Sequence, residues 1–161
     1  MVESINTYNE GRLHAALKDH YARGGARTEV PVDDYIVDVV RDGLLIEVQT
    51  RSFSSIRHKL EVLTHRHAVM LVFPIPQVKW IVRLPGNEAP IDERKRRGSP
   101  RRGKPQDLFP ELVSFPELVA HPNFSLEIVY THENELRTYD PQRGWRRRGW
   151  GTQDRQLLKV V

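Results

Sequence analysis

Two acids set the chemistry open to this sequence. Asp38 and Glu47 flank Asp42-Gly43, in the Val-, Ile- and Leu-rich runs 35–41 and 44–50. Asp-Gly between two such runs is a strong hairpin signal, because both positions tolerate positive φ. A two-residue loop pairs Arg41 with Leu44, which sets Asp38 directly opposite Glu47 and Ile36 opposite Gln49. Opposed side chains have Cβ atoms about 4.5–5.5 Å apart, where like charges repel. A hard divalent cation reverses that cost, since Mg2+ is held by one or two carboxylates with water and phosphate. The alternative is a solvated face, and Ile36, Val40 and Leu45 beside the acids argue against it. The other face, Val37, Val39, Leu44, Ile46 and Val48, is wholly apolar and is expected to be buried. Arg51 falls on the acid face if the second strand continues.

The elements around this hairpin read in order. A helix is expected from Asn6 or Thr7 to Tyr21, with Leu13, Leu17, His20 and Tyr21 as its buried stripe. A strand follows at 27–32, then Asp33-Asp34 as a turn. After the hairpin, Ser54 or Ser55 caps a helix to Arg66 with Ile56, Leu60 and Leu63 facing inward. Strands are expected at 69–73 and 78–84. Beyond Pro85 the pattern weakens. Residues 91–105 read as a basic linker or insertion between a core at 1–90 and an accessory region at 106–161. That region holds helical turns at 106–113 and 116–120, a second hairpin at 124–131 and 136–139, and a last helix capped by Thr152.

Asp38, eight intervening residues, then Glu47-Val48-Gln49, followed by a helix and a buried strand, resembles the PD-(D/E)XK phosphodiesterase superfamily. The likeness covers about half the chain. It implies an α/β fold, a restriction-endonuclease-like mixed β-sheet flanked by helices (an α-β-β-β-α-β core) with a small C-terminal α+β extension. It also implies a metal-dependent endonuclease hydrolysing phosphodiester bonds in DNA, in repair, recombination or defence, with Mg2+ or Mn2+ as cofactor. Asp38 and Glu47 would be the metal ligands, assisted by the Val48 carbonyl and by Glu10, which matches a helical glutamate of resolvase-like members. Val37 replaces the family's proline. Gln49 replaces its lysine and would orient the attacking water without bringing charge. Arg51, or Lys59 on the following helix, is then the candidate charge donor. A nuclease-like scaffold that binds nucleic acid without cutting it is the main alternative, followed by a subunit of a larger assembly and a protein-interaction domain.

The 161 residues carry a net charge of +4, unevenly spread. Arg94, Lys95, Arg96, Arg97, Arg101, Arg102 and Lys104 form one basic group; Arg143, Arg146, Arg147 and Arg148 form another, interleaved with Trp145 and Trp150. Both suit nucleic-acid phosphates, DNA ahead of RNA. A homodimer is the expected state. No apolar run approaches the roughly 20 residues that span a bilayer. With no basic-then-apolar leader and no cysteine, a cytoplasmic protein without a membrane partner is expected. His65 and His67 lack a third ligand for zinc, and His14, His20, His58, His121 and His132 share no spacing.

Overall fold

The computed structural model describes residues 10–85, 91–92, 95–113, 115–142 and 149–161. Asn6, Thr7, Arg94, Arg143, Trp145, Arg146, Arg147 and Arg148 lie outside these residues. The elements run α1 (Arg12–Ala22), β1 (Arg27–Val32), β2 (Tyr35–Arg41), β3 (Leu44–Val48), α2 (Arg57–Thr64), β4 (Val69–Leu84), β5 (Arg97–Gly98), α3 (Phe109–Leu112), α4 (Pro116–Val119), β6 (Phe124–Tyr139) and β7 (Trp150–Val160). Short 3-10 turns at Phe53–Ser55 and Pro105–Leu108 precede α2 and α3. The protein is a mixed α/β structure. Its described residues form one seven-stranded sheet in the order β1-β2-β3-β4-β6-β7, with β5 pairing β4. β1, β2 and β3 are an antiparallel meander, β3, β4 and β6 are parallel, and β7 returns antiparallel to β6.

Asp42 and Gly43 take φ of 48° and 80°, so the tight loop forms as its chemistry demands. The register follows: Arg41 pairs Leu44, Val40 pairs Leu45, and Val39 pairs Ile46. There the ladder stops, so the expected Asp38–Glu47 pair does not form. Beyond it the Val48 amide donates to the Asp38 carboxylate at 2.9 Å, so the two strands fork around that side chain. Val37 was expected beside Val39 on one face. The fork turns it instead into the cluster of Val40 and Leu45. β3 also ends early, at Val48, so Gln49 and Arg51 leave the strand and the Ile36–Gln49 pair does not form.

Two layers cover the sheet. Leu13, Leu17 and Tyr21 of α1 pack on Val39, Ile46, Val48, Val72 and Val129. On the other side Leu60 and Leu63 of α2, with Phe53, Leu108, Phe115 and Leu118, cover Val37, Val40, Leu45, Leu71 and Ile75. Burying each such side chain contributes about 1.5–3 kcal/mol. α1 starts at Arg12, after an N-cap Gly11 that offers no side chain. Glu10 therefore precedes the helix instead of standing on it, and Lys18, not His20, joins the buried stripe. α2 starts at Arg57, because Ser52 caps the preceding turn by accepting from the Ser54 amide.

The second half departs furthest from expectation. The two strands at 69–73 and 78–84 are one, β4, running through Pro74 and Pro76 with a bulge between Pro76 and Val78. The Val72 carbonyl accepts from the Gln49 amide, on the β3 side. By the two-residue alternation, Pro74 and Pro76 present their backbones on that same side, which β3 has already vacated. Missing N–H groups cost nothing there. The hairpin expected at 124–139 is likewise one strand, β6, because Glu133, Asn134 and Glu135 are buried and paired instead of turning. The helix expected after Thr152 is β7. The described residues of 106–161 thus supply two short helices and two strands of the same sheet. Among the described residues no helix is long and apolar enough to cross a membrane.

Candidate active site

The fork between β2 and β3 brings four charged side chains together from four segments. Asp38 stands on β2 and accepts from the Val48 amide at 2.9 Å and from His14 Nε2 of α1 at 3.2 Å. Glu47, on β3, is 4 % exposed. Its Oε1 accepts from the Asp38 amide at 3.3 Å and from Lys59 Nζ at 2.8 Å. Lys59 reaches across from α2, and its ammonium also donates to the Ile36 carbonyl at 2.6 Å. Glu10 accepts from His14 Nδ1 at 2.5 Å and from Lys18 Nζ at 2.7 Å. His14 therefore bridges Glu10 and Asp38.

The electrostatics separate the two strand acids. Burial drives the Glu47 carboxyl upward and the adjacent Asp38 charge adds to it; Lys59 and the Asp38 amide pull back, leaving it at about 7. Burial also works to raise Asp38, but His14, the Val48 amide and Lys59 outweigh it and hold the carboxyl below its ordinary value. His14 is raised, because Asp38 and Glu10 on either side overcome the opposing effect of burial. Glu10 is lowered, the burial that would raise it being outweighed by Lys18 and His14. One acid is poised near neutrality beside another that stays ionised, an asymmetry common in catalytic carboxylate pairs.

The three acids offer carboxylate oxygens, the donor type a hard cation takes. Every hydrogen bond made by Glu10, Asp38 and Glu47 among the described residues uses one oxygen of each: Oε1, Oδ2 and Oε1. The second oxygen of each remains for a ligand. Among the described residues no three acids or histidines converge into a ready-made cage. A cation here would therefore be held by one or two of these carboxylates, with other groups completing its shell. Glu10 reaches Asp38 through His14 and does not join the strand acids directly.

The remaining expected residues are placed as follows. Gln49 turns away: its amide nitrogen donates to the Ser52 carbonyl at 2.6 Å and to Ser55 Oγ at 2.8 Å, fastening the turn before α2. Arg51 lies in an exposed bend past the strand, so of the two candidate charge donors only Lys59 reaches the acids. Of the first basic group, Lys95 sits 3.9 Å from Asp92, Arg96 covers the Trp80 ring at 4.5 Å, and Arg97, Arg101, Arg102 and Lys104 are exposed along the β4 edge, away from the carboxylates. His67 pairs with Asp33 at 3.3 Å. Sequence reasoning missed His14 and Lys18. The signal was that His14 and Lys18, four apart, share one face of α1, just past the acid Glu10. It also missed Arg155 of β7, which grips the buried Glu133 through two nitrogens at 2.8 and 3.0 Å and donates to the Thr50 carbonyl behind Gln49.

A family profile described as "Domain of unknown function (DUF8091)" matches residues 11–161. An "Uncharacterized protein" of Treponema pallidum (strain Nichols) is 35% identical over 158 residues, covering 98% of this chain and 62% of that protein. The chain thus spans under two thirds of the length of this curated relative. No solved structure matches.

Proposed function

The chain belongs to the domain-of-unknown-function family DUF8091, and from the site it builds we propose a metal-dependent endonuclease of the PD-(D/E)XK type acting on DNA. The observation that carries this reading is Lys59: its ammonium lies 2.8 Å from Glu47, at the fork that Asp38 opens. A lysine beside two strand acids is the combination the motif lacked in the sequence, and here α2 delivers it. The order α1-β1-β2-β3-α2-β4, with β3 and β4 parallel, supports a restriction-endonuclease-like core.

Asp38 and Glu47, with the Val48 carbonyl, would hold Mg2+ or Mn2+, which when bound polarises a phosphoryl oxygen and lowers the pKa of a bound water. Asp38 stays ionised and is oriented by His14 and the Val48 amide. Glu47, near 7, gives up its proton readily when a cation replaces the repulsion from Asp38. Lys59 offsets the negative charge that develops on the phosphate during attack. Gln49 stiffens the turn that presents α2, and with it Lys59.

The test is cleavage of labelled duplex DNA with Mg2+ or Mn2+. Wild type should cut, Asp38→Ala and Glu47→Ala should not, and Lys59→Ala should lose on the order of 10²–10³-fold in kcat. Binding without cleavage under either metal would remove the enzyme and leave a nucleic-acid-binding protein on this scaffold.

A further inference from the structure

Like charges also meet at the far end of the sheet. Arg83 of β4 stands directly across from Arg137 of β6, and two residues back Ile81 pairs with Arg97 of β5. Strand alternation places all three arginines on one face. With Lys95 and Ile81 they line a hollow of about 170 Å3 to which, among the described residues, no acidic side chain contributes. Arg137 leans on Glu135 at 2.7 Å and Lys95 on Asp92 at 3.9 Å. Arg83 lies 4.9 Å over the Trp150 ring, which fixes its guanidinium without neutralising it. Among the described residues neither Arg83 nor Arg97 has an acidic partner. Opposed like charges destabilise a sheet, and an anion seated between them converts that cost into binding.

The place of the hollow indicates which anion. Leu71 is the β4 partner of Glu47, and Ile81 lies ten residues further on (81 − 71 = 10). At about 3.3 Å per residue the separation is about 30 Å, close to the roughly 34 Å of one turn of duplex DNA. Because the bulge after Pro76 reverses the side-chain faces, the arginines lie on the α1 side and Glu47 on the α2 side, so the duplex would lie along the sheet edge between them. Between the two ends Lys79, Arg101 and Arg155 line a second hollow, of about 190 Å3, together with Asp107 and Glu111.

We propose that the Arg83–Arg97–Arg137 hollow seats a backbone phosphate of duplex DNA about one helical turn from the carboxylates. The inference rests on the nuclease reading for its ligand and extends it. Phosphate contacts position a duplex without reading its sequence, so the selected property is duplex length.

The test measures binding in EDTA, apart from any cleavage, with duplexes of about 8 and about 24 base pairs over a range of salt. Wild type should bind the longer duplex more tightly. Arg83→Ala/Arg97→Ala should weaken that binding on the order of tenfold and lower the log–log salt slope by about one, with the shorter duplex unaffected. Arg83→Lys/Arg97→Lys, which keeps both charges, should retain the slope and serve as the folding control. An alanine variant with wild-type affinity and slope on the longer duplex would overturn the proposal, as would equal displacement by tripolyphosphate. Length-dependent binding that the alanine variant loses, in a wild type that never cleaves, would keep this site and remove the nuclease.

Discussion

Burial and the neighbouring Asp38 charge leave the Glu47 carboxyl at about 7, against an ordinary value of 4.5. At about 1.4 kcal/mol per tenfold in proton affinity, the gap is worth roughly 3 kcal/mol. Because the folded value is the higher one, the native state keeps its proton where the unfolded chain has lost it. The contribution is fully present below about pH 4.5 and is lost as pH rises through about 7. Glu47→Gln imitates the protonated form at every pH. Without metal at pH 8 it should exceed wild type by up to about 3 kcal/mol, or about 6–12 °C in Tm, and by less than about 1 kcal/mol at pH 5. Asp38→Asn should do the opposite at pH 8, since His14, the Val48 amide and Lys59 favour the ionised Asp38. Both variants should abolish cleavage. Urea unfolding in EDTA at the two pH values measures the difference. Adding Mg2+ at a hundred times its Kd should stabilise wild type by about 2.7 kcal/mol and close most of the gap. A Glu47→Gln variant no more stable than wild type at pH 8, or equally favoured at pH 5 and pH 8, would refute the reasoning.

Two further substitutions separate structure from chemistry. Gln49→Ala removes two hydrogen bonds that hold the turn before α2; it should cost about 1–2 kcal/mol in urea unfolding and lower kcat far less than Lys59→Ala. Glu133→Gln leaves Arg155 without its carboxylate in a site where Glu133 is fully buried. It should cost about 3–5 kcal/mol, read as a lowered Tm, and hydrogen exchange should rise at the loop around Thr50.

The carboxylate hairpin was legible because its determinants are local. Asp42 and Gly43 fix the turn, and the turn fixes the register as far as Val39–Ile46. Asp38 and Glu47 fall just beyond the ladder, where Asp38 meets His14 of α1 and Glu47 meets Lys59 of α2. Lys59 was only a candidate, since its arrival depends on how α2 crosses the sheet. β6 was illegible for a different reason. Glu133, Asn134 and Glu135 look like a turn until Arg155, Gln156 and Lys79 satisfy them, and those partners lie 22, 22 and 56 residues away. β7 offers no clean apolar alternation, because its polar residues face those same partners. β4 was split by its prolines, which break a strand only where a neighbour needs the missing donors.

Those prolines have a consequence for the molecule among its own copies. Between Val72, the last residue of β4 paired with β3, and Trp80, the first paired with β5, the sheet has a gap in its flank. An unprotected gap of this kind invites a strand from another molecule to zip in. Pro74 and Pro76 withdraw the donors such an intruder would need, and Gly103 already occupies the Pro76 carbonyl at 2.8 Å. That stretch of edge therefore offers a foreign strand few backbone groups to pair with, and its prolines guard it against strand addition.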